Sequence, residues 1–230
     1  MRLGRPGSFF VLLVPCVIVS ACSGSVEGRP TSIQPSVTGV TAGGAQASLG
    51  IALLTADQVA SAEFAPKEVS QRPIGDANFS EDPDPRGPCG KMVRQPSLSK
   101  GAIAVFTGTN PNVTLFEVIV DLPAGVARAF VADFASDVSP GCPPFQSNTA
   151  SGTQTTEFIG QVHLPGIGDQ RVCTESRVTP KDGQPFYASG ALIRVGDRLI
   201  VMGTFSSARP PREFLSSVAH LAAGDLQKLS

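Results

Sequence analysis

The chain has 230 residues, of which 41% are hydrophobic and only 16% charged, with 18 Lys and Arg against 19 Asp and Glu, two His and no Trp. So few cations in so even a balance exclude a nucleic-acid partner held on a basic surface, and they exclude attachment to anionic head groups through basic residues alone. The apolar fraction suffices for one core, which predicts a single folded domain.

The chain opens as a targeting signal, with Arg2 and Arg5 ahead of an apolar stretch from Phe9 to Val19. Those eleven residues are too few to span a bilayer, which needs about 20. Val19-Ser20-Ala21-Cys22 follows and resembles the bacterial lipobox, an aliphatic residue and two small ones before a cysteine that is lipidated and becomes the mature N-terminus. Cys16 does not fit, because Pro15 stands where a small residue is required. Residues 1–21 are therefore expected to be a lipoprotein signal peptide and Cys22 the lipidation site. Cleavage there removes Arg2 and Arg5, leaving 16 basic against 19 acidic residues, a net charge of about −3. Membrane contact would then come from acyl chains, two or more of which make a stable anchor. The expected location is the cell membrane, lipid-anchored on its extracytoplasmic face.

Residues 22–50 comprise Cys22 and a tether. Its Gly, Ser, Thr, Pro and Ala, with no aromatic residue, cannot bury enough surface to offset ordering. As a flexible coil the tether spans roughly 28 Å. The folded domain occupies 51–230. Thr55-Ala-Asp-Gln58 is a capping-box pattern and predicts a short helix from Ala56 to about Phe64. Arg72 to Pro88, rich in Pro and acidic residues, is read as a surface loop.

Ala102 to Thr107 and Val113 to Asp121 read as a hairpin turning at Thr109-Asn-Pro-Asn112. Val126, Ala127, Phe130, Phe134 and Val138 recur at helical spacing, so a helix from about Pro123 to Asp137 follows, stopped by Ser139-Pro140-Gly141. Further strands are expected at Thr153 to His163, Gln170 to Val178, Phe186 to Val195 and Arg198 to Phe205. Only Gly196-Asp197 separates the last two, which suits a two-residue type II′ turn and places Ile193 opposite Ile200 and Leu192 opposite Val201. Both faces of that hairpin are apolar, so it belongs inside a covered sheet. A final helix from Pro210-Pro211 presents Phe214, Val218, Leu221 and Ala222 as an apolar stripe. The expected fold class is α+β, an antiparallel β-sheet with helices packed on it, as a single domain with one disulfide.

Beyond Cys22 the mature chain has Cys89, Cys142 and Cys173, so one bridge and one leftover thiol are expected in an oxidising compartment, with three pairings open. A bridge from Cys89 to Cys142 would close a loop of roughly 50 residues and stabilise by about 3 to 4 kcal/mol.

Several phrases together carry a resemblance: Leu53-Leu54-Thr55-Ala56-Asp57-Gln58, Cys89, and the run from Phe116 through Asp121-Leu-Pro123 and Ala127-Arg-Ala-Phe130 to Pro140-Gly-Cys142, followed by the C-terminal hairpin and helix. From Ile51 to Leu229 the chain resembles the extracellular sensor domain of the mycobacterial serine/threonine kinase PknH and the related actinobacterial envelope lipoproteins. The resemblance implies a Cys89–Cys142 bridge, a surface cleft and a sensor role. It also implies a second bridge across the last hairpin, but the matching positions are Ala188 and Phe205, so this chain departs from the pattern. Cys173 has no counterpart in it.

His163 and His220 have no Cys or Asp at ligand spacing, so neither a metal nor another cofactor is expected. There is no Gly-x-Ser-x-Gly elbow for a hydrolase, and Gly166-Ile-Gly168 lacks the lysine and following helix of a phosphate cradle. Cys173 is a candidate free thiol that shares a strand face with Arg171, Glu175 and Arg177, and flanking arginines would lower its pKa; as a buried cysteine it would be inert. Arg171 and Arg177 are also candidate contacts for an anionic ligand, or simply a solvated strand face. The leading expectation is a non-enzymatic sensor or small-ligand-binding lipoprotein whose partners are the membrane, through its lipid, and an unknown small ligand or envelope protein. The alternatives are an accessory lipoprotein docking on an envelope partner and, last, an envelope hydrolase.

Overall fold

The segment LIRVGDRLIVM puts apolar side chains on both faces of two adjacent strands, an arrangement stable only where both faces are covered. The structure is a computed structural model that describes residues 49–60, 64, 66–74, 89, 100–108, 113–138, 142–149, 152–164 and 166–229. In it, β7 (Phe186–Val195) and β8 (Arg198–Ser206) lie inside one eight-stranded sheet. The other strands are β1 (Pro66–Ile74), β2 (Lys100–Gly108), β3 (Val113–Asp121), β4 (Phe145–Thr149), β5 (Gly152–Gln161) and β6 (Gln170–Pro180). Their spatial order is β1-β2-β3-β8-β7-β6-β5-β4, with every neighbouring pair antiparallel. Ile193 faces Ile200 and Leu192 faces Val201, as the hairpin spacing predicts. Gly196 takes a positive φ of 61° in the turn, where a side chain would be strained.

Helices cover both faces. Helix α2 (Val126–Asp137) sets Phe130, Val131 and Phe134 over Val172, Leu192, Leu199 and Val201. On the opposite face α3 (Arg212–Gln227) packs Phe214, Val218, Ala219, Ala222 and Leu226 over Ile193, Ile200 and Met202. The period-2 alternation of each strand thus divides the core into two clusters. From β3 to β4 the chain moves five places across the sheet, about 24 Å at the usual strand spacing. The 12 residues of α2 cover about 18 Å of this. Just past α2, Cys142 is bonded to Cys89, 53 positions earlier, with Cα atoms 5.4 Å apart. That is the pairing implied by the resemblance.

Four expectations are corrected. The short helix α1 spans only Ala56–Val59, because Ala60 turns extended; Phe64 is instead buried against Phe214, ring centroids 5.1 Å apart. Arg72, Pro73 and Ile74, read as loop, belong to β1, a polar strand with two prolines that is tolerated because it lies at a sheet edge. Strand β4, a polar segment, forms the other edge and was not expected. Leu221 is 40% exposed, since the buried arc of α3 centres on Leu215 and Ala222 and Leu221 falls beyond its margin. Of the tether only Leu49 and Gly50 are described, and Leu49 is not tether at all but fully buried in the core; the signal peptide, Cys22, the rest of the tether to residue 48, residues 75–88, the turn at 109–112 and Ser139-Pro140-Gly141 lie outside the described residues.

One polar group stands in the middle of this apolar frame. Glu117, on β3, is fully buried, and its Oε2 accepts a hydrogen bond from the Leu54 amide at 2.7 Å. Gln71 of β1 donates to the Leu54 carbonyl at 2.8 Å. Thr55 and Gln58 close the predicted capping box, and Gln58 also donates to Asp225 of α3. The Leu53-Leu54-Thr55-Ala56-Asp57-Gln58 phrase is therefore a docking segment, clamped at its backbone by a buried carboxyl. Among the described residues Glu117 Oε1 has no hydrogen-bond partner, and burial pushes the carboxyl up to about 8, the Leu54 amide opposing and nearby Asp225 adding to the rise.

The folded protein then holds a proton on Glu117 that the unfolded chain, near the ordinary value of 4.5, releases. Its contribution to stability is fully present below pH 4.5 and is lost as pH rises through about 8, a fall of roughly 4 to 5 kcal/mol. Urea unfolding of the wild type should show this decline between pH 5 and 8.5. In Glu117→Gln the slope should vanish; an unchanged slope would place the titration elsewhere.

Candidate functional site

The ladder between β5 and β6 ends at Gln161 and Thr174, followed by a single bond from the Val162 amide to the Cys173 carbonyl at 2.9 Å. Strand β6 begins earlier, at Gln170, so its first residues run on without β5 beside them. The gap opens beneath α2 as a cleft of about 440 Å³. Its helix wall is Val131, Ala132 and Ala135; the last two are exposed alanines on the flank of α2 away from Phe130 and Phe134. Across from them stand Gln161, Val162, His163 and Leu164, and the strand side runs from Gln170 to Cys173.

The walls are fixed from several directions. Gln161 donates to the Val138 carbonyl at 2.9 Å, tying the end of α2 to β5. The loop from Leu164 to Asp169 is anchored by the buried side chains of Leu164 and Ile167. Gly168 has a φ of 57° and lies so close to the Arg194 carbonyl that an added Cβ would sit 2.5 Å from it, so only glycine fits. Asp169 then bonds the Arg194 carbonyl through its amide and the Gly196 amide through its carboxylate, each at 2.8 Å.

Of the sequence-derived candidates, Arg171 and Cys173 reach this cleft and Arg177 does not. Arg177 lies six residues on, about 20 Å along the strand, opposite Glu157 and Tyr187. Arg171 is exposed, and its Nη1 donates to the Ile167 carbonyl at 3.3 Å. The prospect of an activated thiol is reversed. Cys173 is unbridged but only 2% exposed, and burial, with Glu175 beside it, pushes its thiol up to about 12. Glu175 itself is claimed by Arg209 in a two-pronged pair, both contacts 2.6 Å. His163 lines the same cleft, yet a neutral, buried thiol is the opposite of what a nucleophile beside a base requires. His220 is exposed on α3. Among the described residues no three His, Cys, Asp or Glu side chains gather as a metal site would need.

Ala132, Ala135, Gln161 and Gln170 were not singled out by sequence. The one available signal was the pair of alanines three apart on the flank of a helix whose other side carries phenylalanines.

Compared with solved structures, the chain is similar to the crystal structure of the extracellular domain of PknH from Mycobacterium tuberculosis, with a TM-score of 0.53 over 80% of this chain and 97% of that one, at 13% identity. The two share a fold. An uncharacterized protein of Mycobacterium smegmatis, the Rv0999 ortholog, aligns with a TM-score of 0.41 and 17% identity over 73% of this chain and 93% of that one. No family model and no curated protein matches the sequence. The fold expected from the resemblance is thus shown by structure. Ala188 and Phe205, the positions of the missing second bridge, stand directly opposite each other; Phe205 stacks on Phe116 at 5.6 Å and meets Phe186 edge-on at 6.3 Å.

Thiol labelling of the folded, non-reduced protein should leave Cys173 unmodified until denaturant is added, and should never reach Cys89 or Cys142. Fast labelling of Cys173 in the native state would contradict its burial. Cys142→Ser should lower stability by roughly 2 to 4 kcal/mol in urea unfolding.

Proposed function

We propose that this chain is a lipoprotein of the bacterial cell envelope, anchored through Cys22 on the extracytoplasmic face, whose domain is a non-enzymatic sensor that binds a small ligand in the cleft beneath α2. The observation that carries the reading is the cleft itself. Its volume of about 440 Å³ falls in the range of roughly 300 to 1,000 Å³ common for small-molecule sites, and polar side chains, Gln161, His163, Gln170 and Arg171, stand among the aliphatic residues that line it. The shared fold with an extracellular domain agrees with a location outside the cytoplasm, and the lipobox-like Val19-Ser20-Ala21-Cys22 supports the anchor. No helix among the described residues is long and apolar enough to cross a membrane.

Native mass spectrometry of protein purified from its own envelope tests the site. A small adduct should accompany the wild type and be lost in Ala132→Phe, which fills the cleft from an exposed helix position. A co-purifying protein retained by both forms, with no small adduct, would instead favour an accessory docking role.

The anchor is tested separately. Cys22→Ala should leave the precursor uncleaved or release it from the membrane, and unchanged detergent partitioning would overturn the lipid assignment.

A further inference from the structure

The open stretch of β6 turns main-chain groups, as well as side chains, toward the cleft. Consecutive residues of an antiparallel strand direct their N–H and C=O alternately to one neighbouring strand and the other. The two-residue turn pairs Val195 with Arg198 across β7 and β8, so Arg194 and Leu192 direct theirs to β6, where they meet Gln170 and Val172. Cys173 turns the other way, and its carbonyl accepts from the Val162 amide. Arg171, two residues before Cys173, therefore turns its N–H and C=O into the gap where β5 has ended. Among the described residues neither group meets a partner there. The Arg171 side chain is not involved, since alternation sends it to the α3 side with Cys173.

On the α2 side of the same gap stand Gln161 and Gln170, each with one end of its amide committed. Gln161 donates through Nε2 to the Val138 carbonyl, which leaves Oε1 as an acceptor. Gln170 accepts through Oε1 from Arg194 Nε at 2.8 Å, which leaves Nε2 as a donor. From this edge we infer that the ligand is a short neutral peptide, one residue of which extends the ladder by exchanging both main-chain hydrogen bonds with Arg171. The inference rests on the proposed ligand-binding role and names the class of ligand. An extended residue carries its N–H and C=O on one side, which complements what Arg171 offers, and the two glutamines meet the amide groups that flank it. A hydrocarbon would leave both Arg171 groups without partners once water is expelled. The gap is short, closed at one end by the bond from Val162 to Cys173 and at the other by the loop that buries Leu164 and Ile167, so it pairs one residue and not a long strand. Neither Asp nor Glu is among the described lining residues and the guanidinium lies on the other face, so the peptide is a neutral one.

The test uses the full chain, isotope-labelled for amide resonances, and two probes: N-acetyl-alanine-N′-methylamide, and its analogue in which an ester oxygen replaces the alanine N–H. In the free protein the Arg171 amide should exchange its hydrogen rapidly, as an unpartnered group does. Saturation with the diamide should slow that exchange at least tenfold and shift the amides of residues 161–173. The ester analogue, which cannot donate to the Arg171 carbonyl, should bind about tenfold more weakly. Arg171→Gln should bind the diamide as the wild type does, because the contact is made by the main chain. Slow exchange of the Arg171 amide in the free protein, equal binding of diamide and ester, loss of binding in Arg171→Gln, or no shift with either probe overturns the assignment. The ligand-binding role is judged independently by native mass spectrometry: an adduct that Ala132→Phe removes and that is not a peptide overturns the peptide and leaves the role standing.

Discussion

Strand β8 is apolar on both faces and hydrogen-bonded on both edges, and the rest of the molecule is arranged to satisfy it. Leu199 and Val201 point one way, Ile200 and Met202 the other, and all four are fully buried. Each such side chain contributes about 1.5 to 3 kcal/mol only if something covers it. One covering layer is therefore not enough. The chain supplies the first as the crossing from β3 to β4, which becomes α2, and the second as the segment after β8, which becomes α3. Placing the last hairpin between β3 and β6 leaves the polar strands β1 and β4 at the margins, where a strand needs neither two apolar faces nor two neighbours.

Two carboxyl groups break the apolar pattern on the α3 face, and they are accommodated in opposite ways. Glu175 is buried close to the loop before α3, and Arg209 reaches in from that loop to neutralise it with two hydrogen bonds. Burial of a charge is tolerable when the opposite charge comes with it. Glu117 has no cation beside it among the described residues; it meets a main-chain amide and keeps its own proton. The first solution joins the loop before α3 to the sheet. The second joins the start of the domain, from Leu53 to Gln58, to its centre, so the entry of the chain into the fold is fixed by one buried acid rather than by a strand.

Much of this was legible because it follows from alternation. The two-faced hairpin, its register, α2, the capping box and the helix after Pro211 are each written in the spacing of apolar side chains. What escaped was of another kind. Strand β1, with its prolines and charges, and β4, FQSNT, are strands only because a neighbouring ladder recruits them, and no local preference records that. Glu117 looked like an ordinary interruption of an apolar strand until the Leu54 amide was seen above it. For Cys173 the alternation correctly grouped Arg171, Glu175 and Arg177 on one face. It could not reveal that Arg171 and Arg177 are exposed while the thiol between them is covered, which reverses the chemistry expected of it.

The cleft belongs to neither category, because it arises where pattern stops. It exists because β6 starts four residues beyond the last ladder partner of β5, at Gln170, while α2 continues overhead. The two-faced core demands nothing of those four residues beyond the burial of Val172 and Cys173. Gln170 is held by the Arg194 guanidinium, but Arg171 is free to vary without disturbing the sheet, as are Ala132 and Ala135 on the outer flank of α2. A fold can therefore be retained at 13% identity while the lining of such an opening is rewritten. The chemistry open to such a cleft has to be read from the side chains that the core leaves unconstrained, and among those described at its rim Arg171 is the one with a formal charge and no carboxylate beside it.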